Sequence, residues 1–395
     1  MTQATQRLHA ATRAVRAAID ADAAHGAVTP SLVLSANFSF AGFGKKRAYD
    51  YTRSGNPTRD ALACALAELE GGAGGVVTAS GMAAVALVAQ ALLPHGARVV
   101  LAHDAYGGTW RLFNALASRG TIELALADLT RGAPDFDRAT ALVWIETPSN
   151  PLLRITDIEP IVAAAHAVGA LVVVDNTFLS PALQQPLALG ADLVVHSTTK
   201  YVNGHSDVVG GAVVARDAAV CERLAWWANA TGVAGSPFDA LLTLRGLRTL
   251  DARLAVHERN AAALVGLLDG HEAVAATWWP GLATHPGHDV ARRQQAGFGG
   301  MLSFELAGGE PAVRALVDGL ECFTLAESLG GVESLVAHPA TMTHASMSPE
   351  ARAGAGIGPG LVRVSAGIEH ADDLVADLAA GLARALLACE RRKRA

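Results

Sequence analysis

The chain has 395 residues, 51% of them hydrophobic, and a formal net charge of −6 at pH 7. That is enough apolar material to bury a large core and fill two or three domains. The acidic balance offers no basic footprint for nucleic acid or an anionic membrane, and no apolar run reaches the length of a transmembrane helix. The cysteines Cys64, Cys221, Cys322 and Cys389 form no C-x-x-C pair and read as reduced small hydrophobes of a cytoplasmic protein.

The amino terminus carries Arg7, Arg13 and Arg16 with no acid before Asp20. That resembles a transit peptide in charge, but a surface helix or an arm lying on a neighbouring subunit is the preferred reading. Gly26, Pro30, Gly42, Gly44, Gly55 and Pro57 punctuate the first 60 residues, which predicts an irregular arm. Within it, Tyr49 to Arg59 is a dense polar and aromatic patch. There Arg53 could grip a phosphate with help from the Tyr51 hydroxyl; a solvated loop is the bland alternative.

From residue 61 the pattern alternates. A helix over 61–70 leads through Gly71-Gly-Ala-Gly-Gly75 to a short strand at 76–78 and a helix over 82–93. A strand at 99–102 and a helix over 109–117 follow. Strands at 142–145, 171–174, 193–195 and 212–214 complete the run, with a helix over 157–168 between the first two. Alternation of this kind predicts right-handed crossovers and a mostly parallel sheet, the α/β class. After about residue 257 the texture changes. Residues 300–306 and 361–365 alternate like half-exposed strands, each followed by a helical stretch, at 311–320 and 372–389. That predicts a smaller α+β domain with an antiparallel sheet. The expected organisation is an N-terminal arm over 1–60, a large domain over 61–257 and a small C-terminal domain over 258–395.

Two strand ends carry the chemistry. Leu171-Val-Val-Val174, apolar throughout like a strand covered on both faces, ends on Asp175. Leu193-Val-Val195 runs into Ser197, Thr198 and Thr199 and stops on Lys200-Tyr201. A lysine just past hydroxyls can condense with an aldehyde while the hydroxyls hold a phosphate. A carboxylate on the adjoining strand can pair with a protonated pyridine nitrogen. Open α/β sheets bind ligands at the carboxyl ends of their strands, so the pair points to pyridoxal 5'-phosphate (PLP). Taken singly, Lys200 could be a solvated strand end and Asp175 a turn aspartate.

Other segments add candidates. Ala79-Ser80-Gly81-Met82 lies between a strand and a helix, where backbone N–H groups suit a phosphate; neither a Walker loop nor a dinucleotide fingerprint is present. Tyr106, after a strand, could stack on a planar ring or simply pack over its glycine turn. Arg363 stands inside an alternating strand and wants a carboxylate, either an amino-acid substrate's or an internal one. Glu327-Ser328 lies in a loop that could approach the same pocket, and Asn150, past the end of a further strand, offers an amide near the ring. None of the fourteen histidines falls in a metal-binding pattern.

Together, Tyr51-Thr-Arg-Ser-Gly-Asn-Pro-Thr58, Ser80-Gly-Met82, Asp175-Asn-Thr-Phe178 and Ser197-Thr-Thr-Lys-Tyr201 resemble the Cys/Met-metabolism PLP enzymes of fold type I, over residues 12–388. The resemblance implies that Lys200 carries PLP, Asp175 binds its ring nitrogen and Tyr106 stacks on its ring. It assigns Gly81, Met82, Ser197 and Thr199 to the phosphate, with Tyr51 and Arg53 reaching that phosphate from the neighbouring subunit. Asn150, Ser328 and Arg363 match the substrate-carboxylate site, and Asp50, Arg111, Asn229 and Glu327 match positions of substrate selection. Lys200, Tyr106 and Asp175 are the expected catalytic residues, and a homotetramer of two active dimers is the expected assembly. Leu224-Ala-Trp-Trp-Ala-Asn229 and Asn176-Thr-Phe-Leu-Ser-Pro-Ala-Leu183 are similar to the branch that replaces the γ-substituent of an O-acylhomoserine with cysteine. Elimination at Cγ and replacement by sulfide are the alternatives. Ser54 departs from members that carry a second arginine after the one matching Arg53.

Overall fold

The structure, a computed structural model, describes residues 8–19, 21–345, 347 and 349–394, with the backbone alone for 349–351 and 390–394. Arg7 and Asp20 of the N-terminal charge pattern lie outside the described residues. The chain divides into two compact units. One comprises residues up to Ala102, Gly108–Glu146 and Asp157–Asp251; the other comprises His103–Gly107, Thr147–Thr156 and residues from Ala252 onward.

The first unit begins with a short helix, α1 (Ala10–Val15), and an irregular arm. Helix α2 (Pro57–Glu70) starts earlier than expected. Pro57, read from the sequence as a breaker, is its first residue, where a missing N–H costs nothing. Asn56 caps it, its Oδ1 accepting from the Thr58 N–H at 3.0 Å, and Gly71 closes it at φ 76°. A cap of this kind contributes about 1 kcal/mol. Strand β1 (Gly74–Thr78), α3 (Gly81–Leu92), β2 (Ala97–Ala102), α4 (Gly107–Ser118), β3 (Ile122–Ala127), β4 (Thr140–Glu146), α5 (Ile158–Val168), β5 (Leu171–Asp175), α6 (Ser180–Leu183), β6 (Leu193–His196), β7 (Gly211–Ala215), α7 (Ala218–Thr231) and α8 (Pro237–Leu247) follow.

The sheet order is β1-β7-β6-β5-β4-β2-β3. The pairs β2–β3, β2–β4, β4–β5 and β5–β6 are parallel, and β7 runs antiparallel to β6 and β1. The expected mostly parallel α/β sheet is present. Its middle strands are buried along almost their whole length, as their continuous apolar runs require. Register places Glu146 opposite Asp175, and Asp175 opposite Val195. The carboxyl ends of β4, β5 and β6 therefore line up at one edge.

The second unit is built on α9 (Leu250–Leu268), β8 (Val274–Trp278), α10 (His288–Gln294), β9 (Met301–Leu306), α11 (Gly309–Val317), β10 (Thr324–Leu325), β11 (Leu335–Ala337), α12 (Pro349–Gly354), β12 (Leu361–Ser365) and α13 (Ala371–Arg394). Its sheet, ordered β10-β11-β12-β9-β8, is antiparallel except for β10–β11. Leu302, Phe304, Val362, Val364, Leu316 and Leu378 are among its core residues. One expectation fails here. β9 and β12 are not half exposed: Ser303, Arg363 and Ser365 are 0, 3 and 1% exposed. Their polar face is covered, and each side chain finds a partner. Ser303 Oγ donates to the Pro151 carbonyl at 2.7 Å, Ser365 Oγ accepts from the Gly330 N–H at 2.8 Å, and Arg363 is held as described below. No helix among the described residues is long and apolar enough to cross a membrane.

Four histidines of this unit, His257, His285, His338 and His344, are buried. Burial above all pushes His257, His285 and His344 down from 6.5 to about 4, aided by Arg253, His288 and Arg363 respectively. The unfolded chain therefore binds these protons first as pH falls. Stability should be complete above about pH 6.5 and fall toward pH 4, by up to about 3 kcal/mol for each histidine. Urea midpoints measured at neutral pH and near pH 4.5 should differ clearly; equal midpoints would contradict the assignment.

Candidate active site

In the first unit the predicted cofactor residues gather around the ends of β1, β5 and β6. Gly81 opens α3 directly against β6: a Cβ there would lie 2.8 Å from Ser197 Cβ. Ser80 caps the helix, its Oγ accepting from the Ala83 N–H at 3.0 Å. Gly81 and Met82 supply first-turn N–H donors, which a helix leaves without internal partners and which favour an anion. Gly211 lets β7 approach the same turn, since a Cβ there would lie 2.2 Å from the Ser80 carbonyl oxygen. Ser197 is half-buried, as is Lys200. Thr199 is engaged locally: its Oγ1 donates to the Gly210 carbonyl at 3.2 Å and accepts from the Gly210 N–H at 3.0 Å.

Asp175 ends β5. Its Oδ1 accepts from the Thr177 N–H at 3.0 Å, and Thr177 Oγ1 accepts in turn from the Ser197 N–H at 2.9 Å. Thr177 thus ties the acid to the hydroxyl turn, a role the sequence reading did not assign. Burial pushes the Asp175 carboxyl above its ordinary range, while Thr177 and His196 pull it back. A desolvated carboxylate calls for a cationic partner. The groups that act on it are Thr177 and His196. A pyridinium would satisfy that demand. The glycine-lined helix start and the hydroxyls would likewise suit a phosphate, so the residues present fit PLP.

The arm motif stands exposed. Tyr51 is 49% exposed, and the Arg53 guanidinium carbon lies 5.7 Å from its ring centroid, within cation–π reach. Asp50 is committed nearby: it pairs with Lys46 at 2.9 Å and accepts from Ser54 Oγ at 2.8 Å. Those bonds, Lys46's first, hold it down at about 2. Arg59, in the same motif, is structural. It is 6% exposed and donates to the carbonyls of Thr52 and Gly235. Arg111 on α4 is exposed and Asn229 on α7 half-buried.

In the second unit the predicted carboxylate residues come together. Arg363 Nη1 donates to Asn150 Oδ1 at 3.0 Å and Nη2 to the Ser328 carbonyl at 2.7 Å. Ser328 holds φ 89°, a left-handed conformation rare outside glycine. Ser303, the register partner of Arg363, fixes the carbonyl of Pro151 beside Asn150. Asp104 joins the Tyr106 turn to this segment, accepting from Ser149 Oγ at 2.6 Å and Arg154 Nη1 at 3.2 Å. Tyr106 is 42% exposed and Glu327 is exposed. The alternating pattern of β9 could have flagged Ser303, as a polar residue directly across the sheet from an arginine.

The chain is 55% identical, over 94% of its length and 97% of the relative's, to the cystathionine γ-synthase of Escherichia coli. The crystal structure of cystathionine γ-synthase from Xanthomonas oryzae pv. oryzae, solved with aminoacrylate and cysteine, superposes with a TM-score of 0.93 at 67% identity, covering 96% of this chain and 99% of that one. Cystathionine γ-lyase from Lactobacillus plantarum, complexed with L-serine, gives a TM-score of 0.91 at 38% identity, covering 96% and 100%. The profile of the Cys/Met metabolism PLP-dependent enzymes matches residues 11–383, nearly the whole described chain including both groups of residues above, and the chain belongs to that family.

Proposed function

We propose that the chain catalyses the reaction of a cystathionine γ-synthase: O-succinylhomoserine, or another O-acylhomoserine, and L-cysteine give cystathionine on the way to methionine. The observation that carries this reading is the high identity, over almost the full chain, to the Xanthomonas oryzae pv. oryzae enzyme solved with cysteine. In the overall exchange the C–O bond at Cγ breaks and the acyloxy group leaves as a carboxylate. The cysteine thiolate forms the new C–S bond.

Bound PLP supplies the electron sink that acidifies the protons at Cα and Cβ. The chain's own groups do the rest. Lys200 anchors the cofactor, then takes the Cα proton and shuttles protons at Cβ through its ε-amine. Asp175 keeps the ring nitrogen protonated. Gly81, Met82, Ser197 and Thr199 hold the phosphate, and Tyr106 covers the ring and assists deprotonation of the incoming amine. Arg363, steadied by Asn150 and the Ser328 carbonyl, grips the α-carboxylate. Glu327 holds the cysteine ammonium, while Asp50, Arg111 and Asn229 select the substrate. The assembly is a homotetramer of two active dimers in the cytoplasm. The exposure of Tyr51 and Arg53 supports their service to a neighbour's phosphate, and four free cysteines suit a reducing compartment.

Product analysis tests the reading. Cystathionine should dominate when an O-acylhomoserine and cysteine are supplied together, and slow release of 2-oxobutyrate should appear without cysteine. Ser54, bonded to Asp50 where an arginine stands in some members, makes it necessary to offer both succinyl and acetyl esters. Rapid cleavage of cystathionine to cysteine, with neither ester supporting its formation, would assign the chain to γ-elimination instead. Sulfide outcompeting cysteine would assign it to sulfhydrylation.

A further inference from the structure

A buried polar group of the first unit has no place in the site described so far. Glu70, the last residue of α2, is 1% exposed, and His196, the last residue of β6, is 0% exposed. His196 Nε2 donates to Glu70 Oε1 at 2.6 Å. Asn176 Nδ2 donates to the same oxygen at 3.0 Å and to the Gln184 carbonyl at 2.8 Å, and Gln184 Nε2 returns a bond to Asn176 Oδ1 at 3.0 Å. A carboxylate only accepts, so Nε2 carries the proton. Among the described residues, Glu70 Oε2 and His196 Nδ1 are buried without a partner. A helix C-terminus disfavours a carboxylate, and native structures rarely keep buried polar atoms unpaired without a reason.

The neighbours of this group supply one. Asn176 directly follows Asp175, and its N–H donates to the Val195 carbonyl at 3.0 Å. Val195 is the register partner of Asp175 and directly precedes His196. Among the described residues, Glu70 from α2 hydrogen-bonds His196 directly, whereas Asp175 of β5, in register with Val195 and so on the other face of the sheet, is reached through the field of His196 and the Asn176 backbone. Ala212, opposite His196 on β7, is apolar. We propose that Glu70 and His196 are a positioning pair for Asp175: Glu70 orients the protonated Nε2 of His196 and the amide of Asn176, and the pair keeps the Asp175 carboxylate ionised and aimed at the pyridine nitrogen. The electrostatic pull of His196 on Asp175 agrees in direction. The inference rests on Asp175 being the ring-nitrogen partner.

The test uses apoenzyme reconstituted with PLP labelled with nitrogen-15 in the ring. Glu70→Gln should move the ring-nitrogen resonance toward the unprotonated pyridine and weaken PLP binding by about tenfold, as expected within one hydrogen-bonded network. A purely structural role would lower only the melting temperature of the apoenzyme. Asp175→Asn is the comparator. If it moves the resonance while Glu70→Gln leaves shift and affinity at wild-type values, the positioning pair is refuted alone. If Asp175→Asn also leaves the resonance in place, the reading of Asp175 falls with it. Should Glu70→Gln fail to fold, wild-type apoenzyme labelled with nitrogen-15 histidine gives the answer without a substitution. The His196 ring resonances should shift when PLP binds, and unchanged resonances would overturn the proposal.

Discussion

Turnover should fall by about a hundredfold to a thousandfold or more when Asp175 is replaced by asparagine, the loss typical of one preorganised electrostatic contact. Asparagine keeps the shape and can still accept from the Thr177 N–H, which now bonds Oδ1 at 3.0 Å. It lacks the charge that a ring nitrogen requires to stay protonated. Because the geometry survives, the protein should fold, bind PLP and show the defect in kcat rather than chiefly in KM. Wild-type kcat with PLP bound would remove Asp175 from the chemistry.

The second large effect belongs to Lys200→Ala. One amine serves as cofactor anchor and proton carrier, so its loss removes both functions together. General acid–base catalysis alone is typically worth about 10²–10⁴-fold, so turnover should become undetectable. PLP should then exchange freely with solution on gel filtration. The variant should fold normally: Lys200 is half-buried, and the apolar strand before it, Leu193–His196, is buried throughout. Residual turnover above a tenth of wild type would show that another group moves the Cα proton.

The central sheet was legible because β4, β5, β6 and β7 are covered on both faces and read as unbroken apolar runs. The hydroxyl-lysine turn and the acid-ended strand were legible for a related reason. They sit at the carboxyl ends of those strands, where buried pattern gives way abruptly to polar residues. β9 and β12 were misread as half exposed. Alternation reports that one face is polar, and does not distinguish water from internal partners such as the Pro151 carbonyl and Asn150. The helices α7, α8 and α9 did not separate in the sequence, and β3 was not seen, its side chains being mostly half-buried or exposed. Glu70 carried a signal that went unused. It falls at helical spacing on the stripe of Leu62 and Leu66, which are 1 and 0% exposed, so an acid there had to be buried. Thr177 acts through backbone-directed bonds, for which composition and spacing leave no mark.

The most direct test of the account is chemical. PLP-loaded enzyme should be yellow, and borohydride should discharge that colour while fixing the cofactor irreversibly to the protein. After proteolysis and mass spectrometry, a single modified peptide should contain Lys200. Labelling of a different lysine, or no covalent label on an active enzyme, would contradict the claim that this strand end carries the chemistry.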